Sequence, residues 1–322
     1  MLSRVADSLY WMSRYVERAE NIARFISVNT LLSLEGDARD EDQQWLPLVE
    51  TTGDQEYFKE THGEPARASV MRFLLADPDY GNSLCSCLRA ARENARAVRE
   101  VIPSELWEQL NTFHLMVQDA VSKLDMEADP PTRLLNEVRL QSQLFCGLAD
   151  NAMARTEAWH FMQLARMLER ADKTSRILDV KYFLLLPSVQ QVGSVLDEGQ
   201  WAAVLRSASA FEAYRRKHGR ITPGHVAEFL VLDPEFPRAI LHCLTEAERN
   251  LRLISGSAPD TYQNQAERRM GRLRTGLLYT SAQEILQRGL HEFLDTLQTQ
   301  MNEACVGIFN TYFNPEPPGA NS

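Results

Sequence analysis

Leu2, Val5, Leu9, Met12, Val16, Ala19, Ala23 and Ile26 follow one another at steps of three and four. At ~100° per residue that spacing makes one apolar stripe along a long first helix. Trp11, Tyr15, Ile22 and Phe25 form a second apolar arc, so this helix is expected to be buried on two sides. Phe161, Leu164, Leu168, Ala171, Ser175 and Leu178 repeat the first pattern later in the chain. No run alternates with the period of a strand, and Gly and Pro fall mostly between the periodic segments. The pattern predicts an all-α protein. Breaks are expected at Gly36–Asp42, Asp125–Pro131, Pro187–Gly199, His218–Pro223 and Ser255–Asp260. Pro78 and Pro234, each after an Asp, predict helix starts following a short turn. Three prolines and a glycine in 314–322 predict a disordered tail.

The chain also resembles itself. Arg14–Val28 matches Arg166–Val180 at an offset of 152, with 6 identities in 15. Phe73–Arg96 matches Phe229–Arg252 at an offset of 156, with 9 in 24, both copies opening on Phe-Leu and then Asp-Pro. A weaker pair, Leu134–Leu148 over Gly276–Leu290, has 5 in 15 at an offset of 142. Order is preserved, which predicts a tandem duplication with halves 1–153 and 154–313. Duplicated halves present matching faces and pack about a pseudo-twofold axis. The expected architecture is therefore one helical bundle, a single domain over 1–313. A homo-oligomer is compatible with it.

Both copies of the first repeat carry Arg-x-x-Glu-Arg-Ala-acid-x-x-x-Arg: Arg14, Glu17, Arg18, Glu20, Arg24, and Arg166, Glu169, Arg170, Asp172, Arg176. Charges on a helix apolar on two sides must be paired, because desolvation of a lone one costs several kcal/mol. Glu20→Arg24 and Asp172→Arg176 have the favourable i,i+4 order. Three readings follow. The motif is an internal salt-bridge network fixing how the halves dock, or its guanidinium forks bind a carboxylate or phosphate at their junction, or its charges are solvated helix faces. In the second reading Glu17 or Glu169 orients a guanidinium or acts as acid and base. In the first two, Arg14, Glu17, Arg166 and Glu169 are expected to lie close together across the junction.

A second polar cluster, Arg92-Glu93-Asn94-Ala95-Arg96, continues through Arg99, Glu100, Trp107 and Asn111, with Pro103-Ser104 read as a break and N-cap. It is either an exposed face laced with ion pairs or a second wall of the same site. Glu157 and His160 have the Glu-x-x-His spacing of di-iron bundles, but such a site needs two of these motifs plus two further glutamates, and only one motif is present. Cys85 and Cys87, two apart on a helix, point to different faces and make a poor zinc pair. No Gly-rich phosphate loop, Gly-x-Ser-x-Gly elbow or zinc-protease helix is present. The residues call for no metal and no cofactor, and they name no reaction.

Composition narrows the class further. In 322 residues, 44 acidic against 34 basic side chains leave a net charge of −10, which disfavours nucleic acid and anionic membrane surfaces as partners. No stretch approaches the ~18 apolar residues of a span, and Met1–Arg4 lead into an amphipathic helix rather than a signal peptide. Five scattered cysteines, an odd number, suit reduced thiols in the cytoplasm.

MLSRVADSLYWMSRYVERAENIAR at the start, RENARAVREVIPSELWEQLN in the middle and GLADNAMARTEAWHFMQLARMLERADKTSRILDVKYF later resemble the alpha-E family, bacterial all-helical proteins named for a Glu-Arg motif. AYRR (Ala213–Arg216) and FLVLDPEFPRAI (Phe229–Ile240) continue the likeness over nearly the whole chain. Ser13 and Ala165 stand where the family usually has Gly, small for small. The resemblance places the motif at Glu17-Arg18 and Glu169-Arg170. It also implies partners: such proteins are typically encoded beside, or fused to, circularly permuted ATP-grasp proteins, with transglutaminase-like and proteasome-like neighbours. The expected role is a non-catalytic accessory partner of an amide- or peptide-forming ligase. The alternatives are an enzyme acting on the ligase's peptide product through the Glu/Arg cluster, and a purely structural scaffold or oligomerisation module.

Overall fold

The computed structural model describes residues 1–35, 45–128, 130–184, 195–259 and 261–314. Among the described residues helices follow one another and there is no strand. The first seven are α1 (Ser3–Glu35), α2 (Leu46–Thr52), α3 (Gln55–His62), α4 (Arg67–Leu75), α5 (Leu84–Ala97), α6 (Ser104–Ser122) and α7 (Thr132–Ala152). Then come α8 (Glu157–Leu184), α9 (Val195–Ser207), α10 (Phe211–His218) and α11 (Pro223–Ala227), the last running into a π-helical turn at Glu228–Leu232. The chain continues with α12 (Ile240–Ser255), α13 (Gln265–Leu278), α14 (Ala282–Arg288) and α15 (Leu290–Ile308), closed by a second π turn at Phe309–Phe313.

Two long central helices, α1 and α8, pack against each other and organise the rest. Helix α1 also carries α5, α7 and α9; helix α8 carries α12, α15 and α2. Helix α6 bridges α5 and α7, while α13 bridges α12 and α15. The stripe Leu9, Met12, Val16, Ala19, Ala23 and Ile26 is buried, as are Ile22 and Phe25 of the second arc. Its first member departs: Leu2 precedes the helix and is 72% exposed. Leu164, Leu168, Ala171 and Leu178 bury the matching face of α8. Ala19 and Ala23 of α1 and Ala165 and Ala171 of α8 are fully buried, small side chains that allow neighbouring backbones to approach closely.

Several local expectations need correction. Pro78 and Pro234 do not begin helices; α5 and α12 start six residues later, after turns held by Asp77 and Asp233. Asp77 Oδ1 accepts from the backbone of Asp79 and Tyr80, and Asp233 Oδ1 from Glu235 and Phe236. The side-chain cap of α5 is Ser83, whose hydroxyl accepts from the Ser86 amide. Ser104 is the first residue of α6 rather than its cap, and Pro103 offers no side-chain acceptor. Residues 195–199 of one expected break are already inside α9. Leu134–Leu148 lies within α7, whereas 276–290 crosses the end of α13, a turn and all of α14, so this weakest repeat pair does not superpose as structure. The break at Gly36–Asp42, most of Pro187–Gly199 and all but Asn314 of the tail lie outside the described residues.

Candidate functional site

Adjacent helix positions point ~100° apart, so the Glu and Arg of one Glu-Arg pair cannot face each other. Each reaches across to the other helix instead. Arg170 donates through Nε to Oε1 of Glu17 at 2.9 Å and through Nη2 to Oε2 at 2.8 Å. Arg18 returns the gesture, its Nε 2.7 Å from Oε1 of Glu169 and its Nη2 3.1 Å from Oε2. Arg14 Nε adds a third donor to Glu169 at 2.7 Å, and Lys173 Nζ lies 3.6 Å from it. Glu17 takes further donors from Asn21 at 3.1 Å and Arg238 at 3.3 Å. Both carboxylates are buried.

Burial by itself would raise these carboxyl pKa values, but the neighbouring cations outweigh it. Arg170 and Arg238 hold Glu17 down at about 2. Arg18, Arg14 and Lys173 hold Glu169 well below the usual carboxylate range. Both glutamates are therefore ionised and held by several donors each, so at neutral pH neither has a proton to give.

Two flanking pairs lie farther along each helix. Arg24 forks onto Glu20 at 2.6 and 3.0 Å, donates to the Ser207 carbonyl at 2.5 Å and to Ser209 Oγ at 3.0 Å. Arg238 also donates to Glu20. Arg24 is 1% exposed, and burial together with the nearby Arg238 charge pulls its pKa down to about 10. On α8, Arg176 meets Asp172 at 3.1 Å and donates to the Thr51 carbonyl at 2.6 Å. Lys173 also binds Asp172, at 2.7 Å.

Thus Arg14, Glu17, Arg18, Glu169 and Arg170 come together, with Arg24 and Arg176 one step outward. Arg166 turns aside. It bonds Gln163, lies 3.9 Å from Asp150 and faces the Cys146 thiol, and only its charge reaches Glu17. Arg92, Glu93, Asn94 and Arg96 stay apart on α5. Arg92 donates to Asn111 at 2.7 Å and sits with Arg99 over the Trp107 ring on α6. Arg96 pairs with a half-exposed Glu93 at 2.6 Å, and Asn94 bonds its own helix at Ala90. Arg238, Lys173 and Asn82, which accepts from Arg18, are the participants that the motif did not flag. Lys173 was legible as the i+4 neighbour of Glu169; Arg238 and Asn82 lie in turns that only the fold brings near.

A cleft of about 420 Å³ opens beside the cluster, lined by Glu20, Arg24, Cys146, Asp150, Arg170 and Arg238 among others. Every guanidinium of Arg24, Arg170 and Arg238 is already held by Glu17 or Glu20. Burial pushes the Cys87 and Cys243 thiols up to about 12, against thiolate chemistry. All five cysteines are free. Glu157 binds the Met1 amine at 2.9 Å and His160 faces Asn250 at 2.8 Å, so that spacing is spent on packing. His218, His225 and Glu228 bring three ligand-type atoms within 4.8 Å of one another. The His218 and His225 imidazoles are stacked, with centroids 5.0 Å apart.

Residues 1–313 match the sequence profile of the Alpha-E family, described as a predicted alpha-helical domain with a conserved ER motif. The chain belongs to the Alpha-E family. In this Alpha-E chain the two ER pairs are Glu17-Arg18 and Glu169-Arg170, and each glutamate takes the other pair's arginine. Uncharacterized proteins of Mycobacterium bovis and of two strains of Mycobacterium tuberculosis are similar, at 22% identity over 95% of this chain. The matched stretch is 35% of each relative, so the Alpha-E chain spans about a third of their length. No solved structure matches. No helix among the described residues is long and apolar enough to cross a membrane.

Proposed function

We propose that this Alpha-E chain is a non-catalytic helical module, built by duplication of one half, that serves as an accessory partner of an ATP-grasp ligase forming amide or peptide bonds. The observation that carries the non-catalytic reading is the reciprocal exchange of Glu17–Arg170 and Glu169–Arg18. Buried glutamates kept ionised by two or more cations suit a latch between halves rather than an acid or base. Support for duplication comes from matched bonds at the expected offsets. Arg24 reaches the Ser207 carbonyl as Arg176 reaches Thr51, Cys87 reaches Gly81 as Cys243 reaches Pro237, and Phe58 stacks on His62 as Tyr214 stacks on His218. The third cation differs between halves: Lys173 serves Glu169 from its own helix, and Arg238 serves Glu17 from a turn, where the other half has Asn82.

The partnership itself rests on the family resemblance. The mycobacterial relatives add indirect support, since most of each lies outside the matched stretch and leaves room for a joined protein. The test is co-purification of this chain with a circularly permuted ATP-grasp protein encoded beside it, followed by ATP turnover with and without the chain. A stable complex with raised turnover supports the reading. Absence of both a complex and any change in turnover overturns it.

A further inference from the structure

A second cleft, of about 560 Å³, lies between α13 and α15, away from the Glu-Arg latch. We propose that it binds a small ligand carrying two or more carboxylate or phosphate groups. Its walls present Arg268, Arg269 and Arg272 from α13 and Arg288 from the end of α14, over an apolar floor that includes Leu277 and Phe293. Among the lining residues Glu303 is the one acid, and Arg269 binds its backbone carbonyl rather than its carboxylate. Arg288 is spent on the Thr296 hydroxyl. Four guanidinium groups thus gather in one groove of a chain whose net charge is −10.

Arg268 and Arg272 are the telling pair. They stand four apart on α13, one turn over the other, where like charges destabilise a helix. Both also line a neighbouring cleft of about 460 Å³ on the far side of α13, so they form the ridge between the two. Arg274, two residues on, shows the contrasting arrangement: its Nε is held at 2.7 Å by Glu248. Arg272 makes no ion pair or hydrogen bond among the described residues, and Arg268 has only the ring of Tyr262, 5.7 Å away. With 44 acidic side chains available, nothing in composition prevents a partner for them. An uncompensated like-charge pair in a groove is what a site built for anions holds, since the ligand supplies the missing charge. Guanidinium forks match carboxylate and phosphate oxygens two at a time. The volume suits a small molecule rather than a macromolecular surface, and the floor suits an apolar body between the anionic groups.

The experiment is calorimetric titration of the full chain with inorganic pyrophosphate and, separately, with tri-glutamate, at low and high salt. The result expected is saturable one-site binding of at least one probe, weakened by salt; which probe binds tells phosphate from carboxylate. Arg272→Glu and Arg272→Gln should each weaken it by about tenfold or more while the melting temperature stays at or slightly above the wild-type value, because Arg272 is exposed, bonds nothing and repels Arg268. Arg249→Glu, an exposed arginine outside this cleft, should leave binding intact. Failure of both probes to saturate overturns the proposal. So does equal weakening by the Arg249 and Arg272 variants, which would mean diffuse attraction only.

Discussion

Arg170 grips Glu17 side-on, Nε to Oε1 at 2.9 Å and Nη2 to Oε2 at 2.8 Å, across the contact of the two central helices. A planar fork against a planar carboxylate fixes both the distance and the rotation between α1 and α8. The mirror contact of Glu169 with Arg18 fixes it again. Apolar stripes alone are tolerant of sliding; a buried fork displaced by one turn would strand a charge.

Glu169→Ala should therefore be severely destabilising, by about 3–5 kcal/mol, because it strands Arg14 and Arg18 in a buried place. Glu17→Ala should cost less, since Arg238 keeps Glu20 as an alternative partner. Melting temperatures should fall by several degrees for both, with Glu169→Ala lower. Wild-type melting for both variants would remove the latch.

The all-α class, the two long helices and their buried stripes were legible because helical periodicity is local. The crossed pairing was partly legible: a buried Glu beside a buried Arg on one helix has to look elsewhere. Which partner it finds was not, because the sequence separations are 151 and 153 residues. Arg166 illustrates the limit. It occupies the position equivalent to Arg14, yet Gln163 and Asp150 draw it away, an outcome of local packing that spacing does not encode. The α13 arginines carry no signal in the sequence, because a cationic run on an exposed helix acquires meaning only once α15 supplies the opposite wall.

The latch carboxylates predict acid sensitivity. Glu17 titrates at about 2 in the fold against 4.5 ordinarily, and Glu169 and Asp172 are lowered in the same sense. A depressed carboxyl stabilises the fold above its unfolded pKa, and that stability drains away as pH falls toward the folded one. Denaturant melts should show stability falling from about pH 5 toward pH 2. The slope should be shallower in a Glu17→Gln variant, which has one such group fewer.

Asp179 should act in the opposite direction. Burial raises it to about 6 despite donors from His291 at 3.3 Å and Gln298 at 2.9 Å, with Arg176 more distant. Its contribution is complete below the unfolded value of 3.8 and is lost as pH rises through 6. Asp179→Asn should therefore be at least as stable as wild type at pH 7 and should lose that advantage near pH 4. A variant less stable than wild type at pH 7 would show that the ionised carboxylate is needed by its donors.

Arg24 and Arg176 test whether the outer pairs tie distant turns to the central helices. Each guanidinium joins an acid on its own helix to a backbone carbonyl at the end of a short helix: Ser207 at the end of α9 for Arg24, Thr51 near the end of α2 for Arg176. A lysine keeps the charge but has no planar fork to satisfy carboxylate and carbonyl together. Arg24→Lys should cost about 2–4 kcal/mol, since a fully buried carbonyl and part of Glu20 lose their donor. Arg176→Lys should cost less, because Arg176 is partly exposed and Lys173 remains on Asp172. The local signature separates this from general loosening. Amide exchange should quicken around residues 205–210 in the first variant and around 49–54 in the second, each beyond the change in the core of α1 or α8. Uniform acceleration across the whole chain in both variants would mean that the arginines stabilise the bundle without anchoring those turns.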